Sequence, residues 1–152
     1  MRNIFVMLLV CLTLATTSCS RSKGKTSPGD LDDGNIPRAQ AGSELSDVNF
    51  AFDSSTLSSQ AQEILKTNAA WLQNNSASPV TVEGHCDERG TAEYNLALGQ
   101  RRADSVKQFL KTLGVEDKKI STVSYGEELP LETGHTEGAW SKNRRGHFSI
   151  KN

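Results

Sequence analysis

Cysteine is scarce in this 152-residue chain: Cys11, Cys19 and Cys86 are the only three. They are too few for a disulfide framework, even in an oxidising compartment. Charge of one sign is missing too, since seventeen basic residues face eighteen acidic ones. A net charge of -1 excludes a global field that would draw the chain to nucleic acid or anionic lipid, so any binding is local. The three histidines, His85, His135 and His147, form no ligand pair at i, i+4. His85 and Cys86 are neighbours on an expected strand and point to opposite faces, so neither a metal site nor a cofactor is expected. The longest apolar run, Ile4 to Leu14, is too short to span a bilayer. Internal repeats and low-complexity tracts are absent from the part that is expected to fold.

What is present begins with a processing signal over residues 1 to 18. Arg2 supplies positive charge, the short apolar run follows, and Ala15, Thr16, Thr17 and Ser18 are small residues before Cys19. That arrangement resembles a bacterial lipobox, with Thr16 where leucine is usual, and implies acylation of the Cys19 thiol after cleavage. Three acyl chains, each buried methylene contributing about 0.8 kcal/mol, make a lasting membrane anchor. In similar lipoproteins an aspartate after the cysteine favours the inner membrane, so Ser20 points to the outer one. From residue 19 to 44 the chain is rich in Gly, Pro, Ser and charge, with almost no large apolar side chains. It reads as a flexible tether averaging roughly 25 to 30 Å between its ends.

Residues 45 to 152 form the expected folded domain. Val48, Phe50 and Phe52 alternate with polar or small residues, as in a half-buried strand. Ser59 and Gln62 have capping-box spacing, and Ala61, Ile64, Leu65, Asn68, Trp71 and Leu72 continue at helical intervals to about Asn74. A second strand starts at Val80 and ends in the polar turn Asp87-Glu88-Arg89-Gly90. Thr91 is placed to cap a long helix with Leu96, Gly99, Ala103, Val106, Leu110 and Leu113 on its apolar stripe, and Gly114 to stop it. Strands from Ile120 to Tyr125 and over Arg144 to Ile150 complete the order β-α-β-α-β-β. That order predicts an α+β fold, a two-layer sandwich with both helices on one face of a mixed sheet.

The turn between Val80 and the second helix is the natural binding place. Asp87 sits where a strand gives way to a helix start, whose exposed N–H groups around Thr91 attract carboxylates. Arg102 shares a helical line with Asn95 and Leu98, at the edge of the apolar stripe. Taken singly, Asp87 fits a helix cap and Arg102, Arg101, Arg144 and Arg145 fit surface charges, although an arginine near the chain end can orient a pocket.

The segment N-L-A-L-G-Q-R-R-A-D-S-V-K-Q-F-L, Asn95 to Leu110, resembles the motif of the OmpA-like peptidoglycan-binding family. F-D-S-S-T, V-E-G-H-C-D-E-R-G-T-A-E-Y-N, V-S-Y-G and W-S-K-N-R-R extend the likeness over about Val48 to Ile150. Gly99 stands where serine is common, Cys86 where alanine is and Ala92 where proline is. The resemblance implies non-covalent binding of cell-wall stem peptides that carry diaminopimelate, whose side chain ends in an ammonium beside a carboxylate. Asp87 matches the family's acceptor for the ammonium and Arg102 its fork for the carboxylate, with Phe52 and Asp53 lining the same pocket. Lipoproteins of the family also bind the propeller domain of the Tol system's periplasmic partner, which implies Glu83, His85, Glu88, Arg89 and Tyr94 as a partner surface.

Two other classes stay open at this point. A wall-degrading hydrolase would need Cys86 with a histidine base, or Glu83 with Asp87 as paired carboxylates. Cys86 is expected to face the core, where a thiolate is disfavoured, and two carboxylates at that spacing are unspecific. A module that binds only a protein partner is the remaining alternative.

Overall fold

A computed structural model describes residues 44–75 and 78–150. The signal segment, Cys19 and the tether up to residue 43 lie outside the described residues. The elements are β1 (Val48–Asn49), α1 (Ser59–Asn74), β2 (Val80–His85), α2 (Ala92–Thr112), a 3-10 turn (Asp117–Lys119), β3 (Ile120–Gly126), α3 (Glu137–Asn143) and β4 (Arg145–Ile150). The sheet has the order β1-β4-β2-β3, with β2 and β3 parallel and the other pairs antiparallel. This is the α+β sandwich with a mixed sheet that the sequence predicts, with the short helix α3 added before the last strand.

Period-two patterning sets the two faces of the sheet. Val80 and Val82 of β2 stand opposite Ile150 and Phe148 of β4, and Val80, Val82 and Phe148 bury beneath α1 and α2. Thr81, Glu83 and His85, with Arg145, His147 and Ser149, take the other face. Helix α1 contributes Ala61, Leu65, Ala69 and Leu72 to the core, and α2 contributes Ala103, Val106 and Leu110. Asn68 is buried among them because its amide donates to the Ser46 carbonyl and its oxygen accepts from the Ser46 N–H.

Local chemistry decides where the helices start and stop. Thr91 Oγ1 accepts the Tyr94 N–H at 3.2 Å and caps α2 as expected. Gly114, at φ 92, takes the left-handed turn that ends it. In α1 the cap lies one residue earlier than expected: Ser58, not Ser59, accepts the Ala61 N–H. Three further differences bear on function. Strand β1 is only two residues long, so Phe52 has left the sheet and is 57% exposed. The buried stripe of α2 starts on Asn95, Leu98 and Arg102, and Leu96 points outward. The loop after β3 closes with α3, capped by Thr136.

Candidate functional site

The pocket follows from how tightly α2 lies on β2. Gly84 and Gly99 meet backbone to backbone, and a β-carbon on Gly84 would fall 1.8 Å from the Gly99 oxygen. One turn after this contact, Arg102 enters the space below the β1–α1 connection. It is 0% exposed. Its Nε donates to the Ser54 carbonyl at 2.8 Å, Nη1 to the His85 carbonyl at 2.8 Å and to Cys86 Sγ at 3.3 Å, and Nη2 to the Ala51 carbonyl at 3.0 Å. Four of its five N–H groups are thereby committed to the protein. Arg102 therefore underlies the pocket and ties three chain segments together, instead of standing at the edge of the apolar stripe among surface charges.

Above it stands Asp87, 3% exposed, at the first step out of β2. Oδ1 accepts the Arg89 N–H at 3.1 Å and Arg89 Nε at 3.0 Å. Oδ2 accepts Arg89 Nη2 at 2.8 Å and Arg144 Nη1 at 3.1 Å. Burial pushes the Asp87 carboxyl up, but the bonds from Arg89 and Arg144 outweigh it and hold the group below the usual carboxylate range. Asp87 thus stays ionised in a nearly dry place, which makes it an anchor for a cation.

Phe52, Asp53, Cys86, Asp87, Arg89, Gly90, Tyr94, Asn95, Leu98 and Arg102 line one pocket of about 200 Å³. That is below the roughly 300–1,000 Å³ of sites that enclose a whole small ligand, so it holds the end of a side chain. Asp53, in the left-handed region at φ 50, accepts a hydrogen bond from the Tyr94 hydroxyl and joins the two walls of the mouth. Leu98 supplies apolar floor. Asn95 is spent on structure: its amide donates to the Asp87 and Arg89 carbonyls, both at 3.2 Å, and to Glu127 at 2.5 Å. It shapes the turn and reaches a ligand only through that shape. Thr91 is outside this lining, and its hydroxyl is used by the cap.

Three of the five expected partner residues, Glu88, Arg89 and Tyr94, lie at or beside the pocket mouth, with Glu88 bound to the Trp140 ring that stacks on Arg89, and the other two do not. Arg89 and Tyr94 are at the pocket mouth, while Glu88 lines a neighbouring acidic basin with Glu127, Glu128 and Glu132. Glu83 is on the open face of the sheet. His85, on that same face, is 2% exposed against Tyr125, so direct partner contact through its side chain is excluded in this conformation.

Arg144, expected among surface charges apart from a role in orienting the pocket, is buried and holds Asp87, the Phe50 carbonyl and Glu137 together. Glu137 and Trp140 of α3 complete the surround, with the Arg89 guanidinium 4.0 Å from the Phe52 ring centroid and 4.2 Å from that of Trp140. Sequence reasoning missed these two. Thr136 followed by Glu137 was the available signal, a cap with an acidic first turn. Burial pushes the Cys86 thiol up against the opposing charge of Arg102, which disfavours a thiolate nucleophile.

The comparisons with known proteins bear on the family and the fold. The model of the OmpA family matches residues 49–144. The peptidoglycan-associated lipoprotein of Pasteurella multocida is 44% identical over 147 residues, covering 95% of this chain and 97% of that protein. Its counterpart in Haemophilus influenzae is 54% identical over 98 residues, 64% of each chain. The crystal structure of the peptidoglycan-associated lipoprotein from Burkholderia pseudomallei has a TM-score of 0.67 at 42% identity, covering 69% of this chain and 89% of that one. With the family pattern running from β1 to the end of α3 and the fold matching a solved relative, the chain belongs to the OmpA family.

Proposed function

We propose that this chain is an outer-membrane lipoprotein that binds peptidoglycan non-covalently through diaminopimelate-containing stem peptides, tethering the outer membrane to the cell wall. One observation carries the reading: a mouth sized for a side-chain end leads to a buried, ionised Asp87, with the cationic Arg102 beneath it. An ammonium and a carboxylate on one carbon need such opposite charges within one small space. In the bound state Asp87 takes the ammonium, and the fully buried Arg102 supplies positive potential from beneath without bonding the carboxylate directly. Phe52, Asp53 and Leu98 bound the pocket, while Asn95 and Thr91 hold its turn and helix start in place. The names of its relatives, peptidoglycan-associated lipoproteins, support the same assignment.

The reading divides the chain into a cleaved signal over residues 1–18, a lipidated Cys19 with a tether to residue 44, and a binding domain over 45–152. The lipid holds one end, the tether sets reach, and the pocket holds the wall, so a modest intrinsic affinity suffices. The protein faces the periplasm and acts without catalysis. Exposed Phe52 and Tyr94 at the mouth support a further role in a Tol-Pal-type system, in which a propeller partner that also touches the adjacent Glu88 competes with the wall for Arg89 and Tyr94.

Sedimentation of the full chain with purified sacculi, with the supernatant assayed for muropeptides, tests the proposal. Saturable co-sedimentation without release is expected. Released muropeptides would mean a hydrolase, and absence of co-sedimentation would end the assignment.

A further inference from the structure

Asp87 is already occupied. A carboxylate offers about four acceptor positions, and Arg89 fills three of those on Asp87 while Arg144 fills the fourth. Arg144 is buried and also bound to the Phe50 carbonyl and Glu137, so it is fixed. The Arg89 side chain is 32% exposed and lies between two rings at the mouth, Phe52 and Trp140. A flat guanidinium slides between ring faces without losing them. A second carboxylate, Glu137, waits 3.6 Å from its Nη2. Any ligand ammonium that reaches Asp87 must therefore displace Arg89 and no other group.

We propose that Arg89 is the exchangeable counter-ion of Asp87 and thereby a specificity-determining residue of the pocket. The inference rests on the reading of Asp87 as the ammonium receptor. A ligand carrying an ammonium and a carboxylate on one carbon exchanges with the internal pair: its ammonium takes Asp87, and its carboxylate takes the released Arg89. Every charge stays paired. A ligand with an ammonium alone breaks the internal pair and leaves Arg89 only the exposed Glu137. Arg102 cannot serve this exchange, because it is fully buried and bound to three carbonyls. The pocket accordingly selects diaminopimelate stems over lysine stems through Arg89, by roughly tenfold to a hundredfold, the value of one charged hydrogen-bonded pair.

Calorimetric titration of the full chain with two synthetic peptides tests this, Ala-γ-Glu-diaminopimelate and the same peptide ending in lysine. The wild type is expected to prefer the first. Arg89→Ala is expected to narrow the preference to within about threefold, chiefly because the lysine peptide no longer has to break an ion pair. Arg89→Lys keeps the cation without the fork and is expected to fall between. Asp87→Asn separates the two layers of the argument. If it binds the diaminopimelate peptide as well as the wild type does, Asp87 is not the ammonium receptor and the exchange falls with it. If Asp87→Asn loses binding while Arg89→Ala keeps the wild-type preference, the exchange alone is overturned. Loss of both peptides from an Arg89→Ala protein that melts like the wild type overturns it as well.

Discussion

The carbonyl oxygen of Gly99 lies where a β-carbon on Gly84 would have to be, 1.8 Å from its ideal position, so β2 and α2 are in backbone contact there. The opposite substitution is less crowded, since a β-carbon on Gly99 would meet the Ser124 hydroxyl at 2.3 Å and the Gly84 oxygen at 2.8 Å. A hydroxyl at the end of a side chain can turn away and the 2.8 Å contact with the Gly84 oxygen needs only a small backbone shift, whereas an approach of 1.8 Å to a helix carbonyl needs a large one. Gly84→Ala is therefore expected to cost about 3 kcal/mol or more, above the roughly 1–3 kcal/mol of ordinary overpacking. Gly99→Ala should cost less, because about 1 kcal/mol of helix propensity is regained. Denaturant midpoints of the two variants check the order.

Arg102 is a stability residue as much as a binding one. Arg102→Ala strands the buried His85 carbonyl, at a cost of about 1–3 kcal/mol, removes the donors to the part-buried carbonyls of Ala51 and Ser54, and empties a fully buried site. The expected outcome is a loss of roughly 3 kcal/mol or more in urea unfolding, without any ligand present. Loss of wall binding by this variant is therefore evidence about the site only if the protein is shown to be folded. Arg102→Lys should recover part of the stability and less of the binding.

Two histidines on the open sheet face set opposite pH limbs. His85 is held down to about 3, first by burial and then by Arg145 and His147. An unfolded chain binds that proton near 6.5, so stability falls with acidification below that value, by up to about 1.4 kcal/mol per pH unit. His147 is raised, first by its hydrogen bond with Asp47, so its contribution is complete below 6.5 and is lost as pH rises through its folded value. Stability should peak near pH 6.5. Asp87 is depressed, so its share is lost only as pH falls through a folded value below the ordinary 3.8, under most of the His85 window. His85→Phe should flatten the acid limb and His147→Gln the alkaline one, as read from unfolding at about pH 4.5, 6.5 and 8.5.

Asn95 governs the turn that presents Asp87. Asn95→Ala removes the donor shared by the Asp87 and Arg89 carbonyls and is expected to lower stability by roughly 1–3 kcal/mol. Asn95→Asp, isosteric but placing an acceptor against two carbonyls and Glu127, should be worse. Thermal melts of the two check the ranking.

Signals that act within one turn of chain were legible in the sequence. Thr91 and Gly114 bound α2 because capping and left-handed termination depend on neighbours in sequence. Val80 and Val82 pointed inward because side-chain alternation is local. Asp87 was placed between a strand and a helix start, where the structure has it. What was not legible depends on distant partners. Arg102 and Arg144 looked like surface charges because nothing nearby in sequence shows that carbonyls from residues 51, 54 and 85, and Phe50, would close around them. Phe52 fits the strand alternation, yet β1 pairs for only two residues and releases it. The exposed face of α2 changes at Leu96 because the turn from β2 to α2 sets the helix's rotation, which the spacing alone does not fix.

The central claim, that a buried ionised Asp87 receives a cationic side-chain end of the cell wall, is tested most directly by one titration. Full-length wild type and Asp87→Asn are compared for binding to purified sacculi, each checked as folded by its melt at the assay temperature. The account predicts saturable wild-type binding and at least about a tenfold weaker Asp87→Asn, since a charged hydrogen-bonded contact is lost. A folded Asp87→Asn protein that binds sacculi as the wild type does would contradict it.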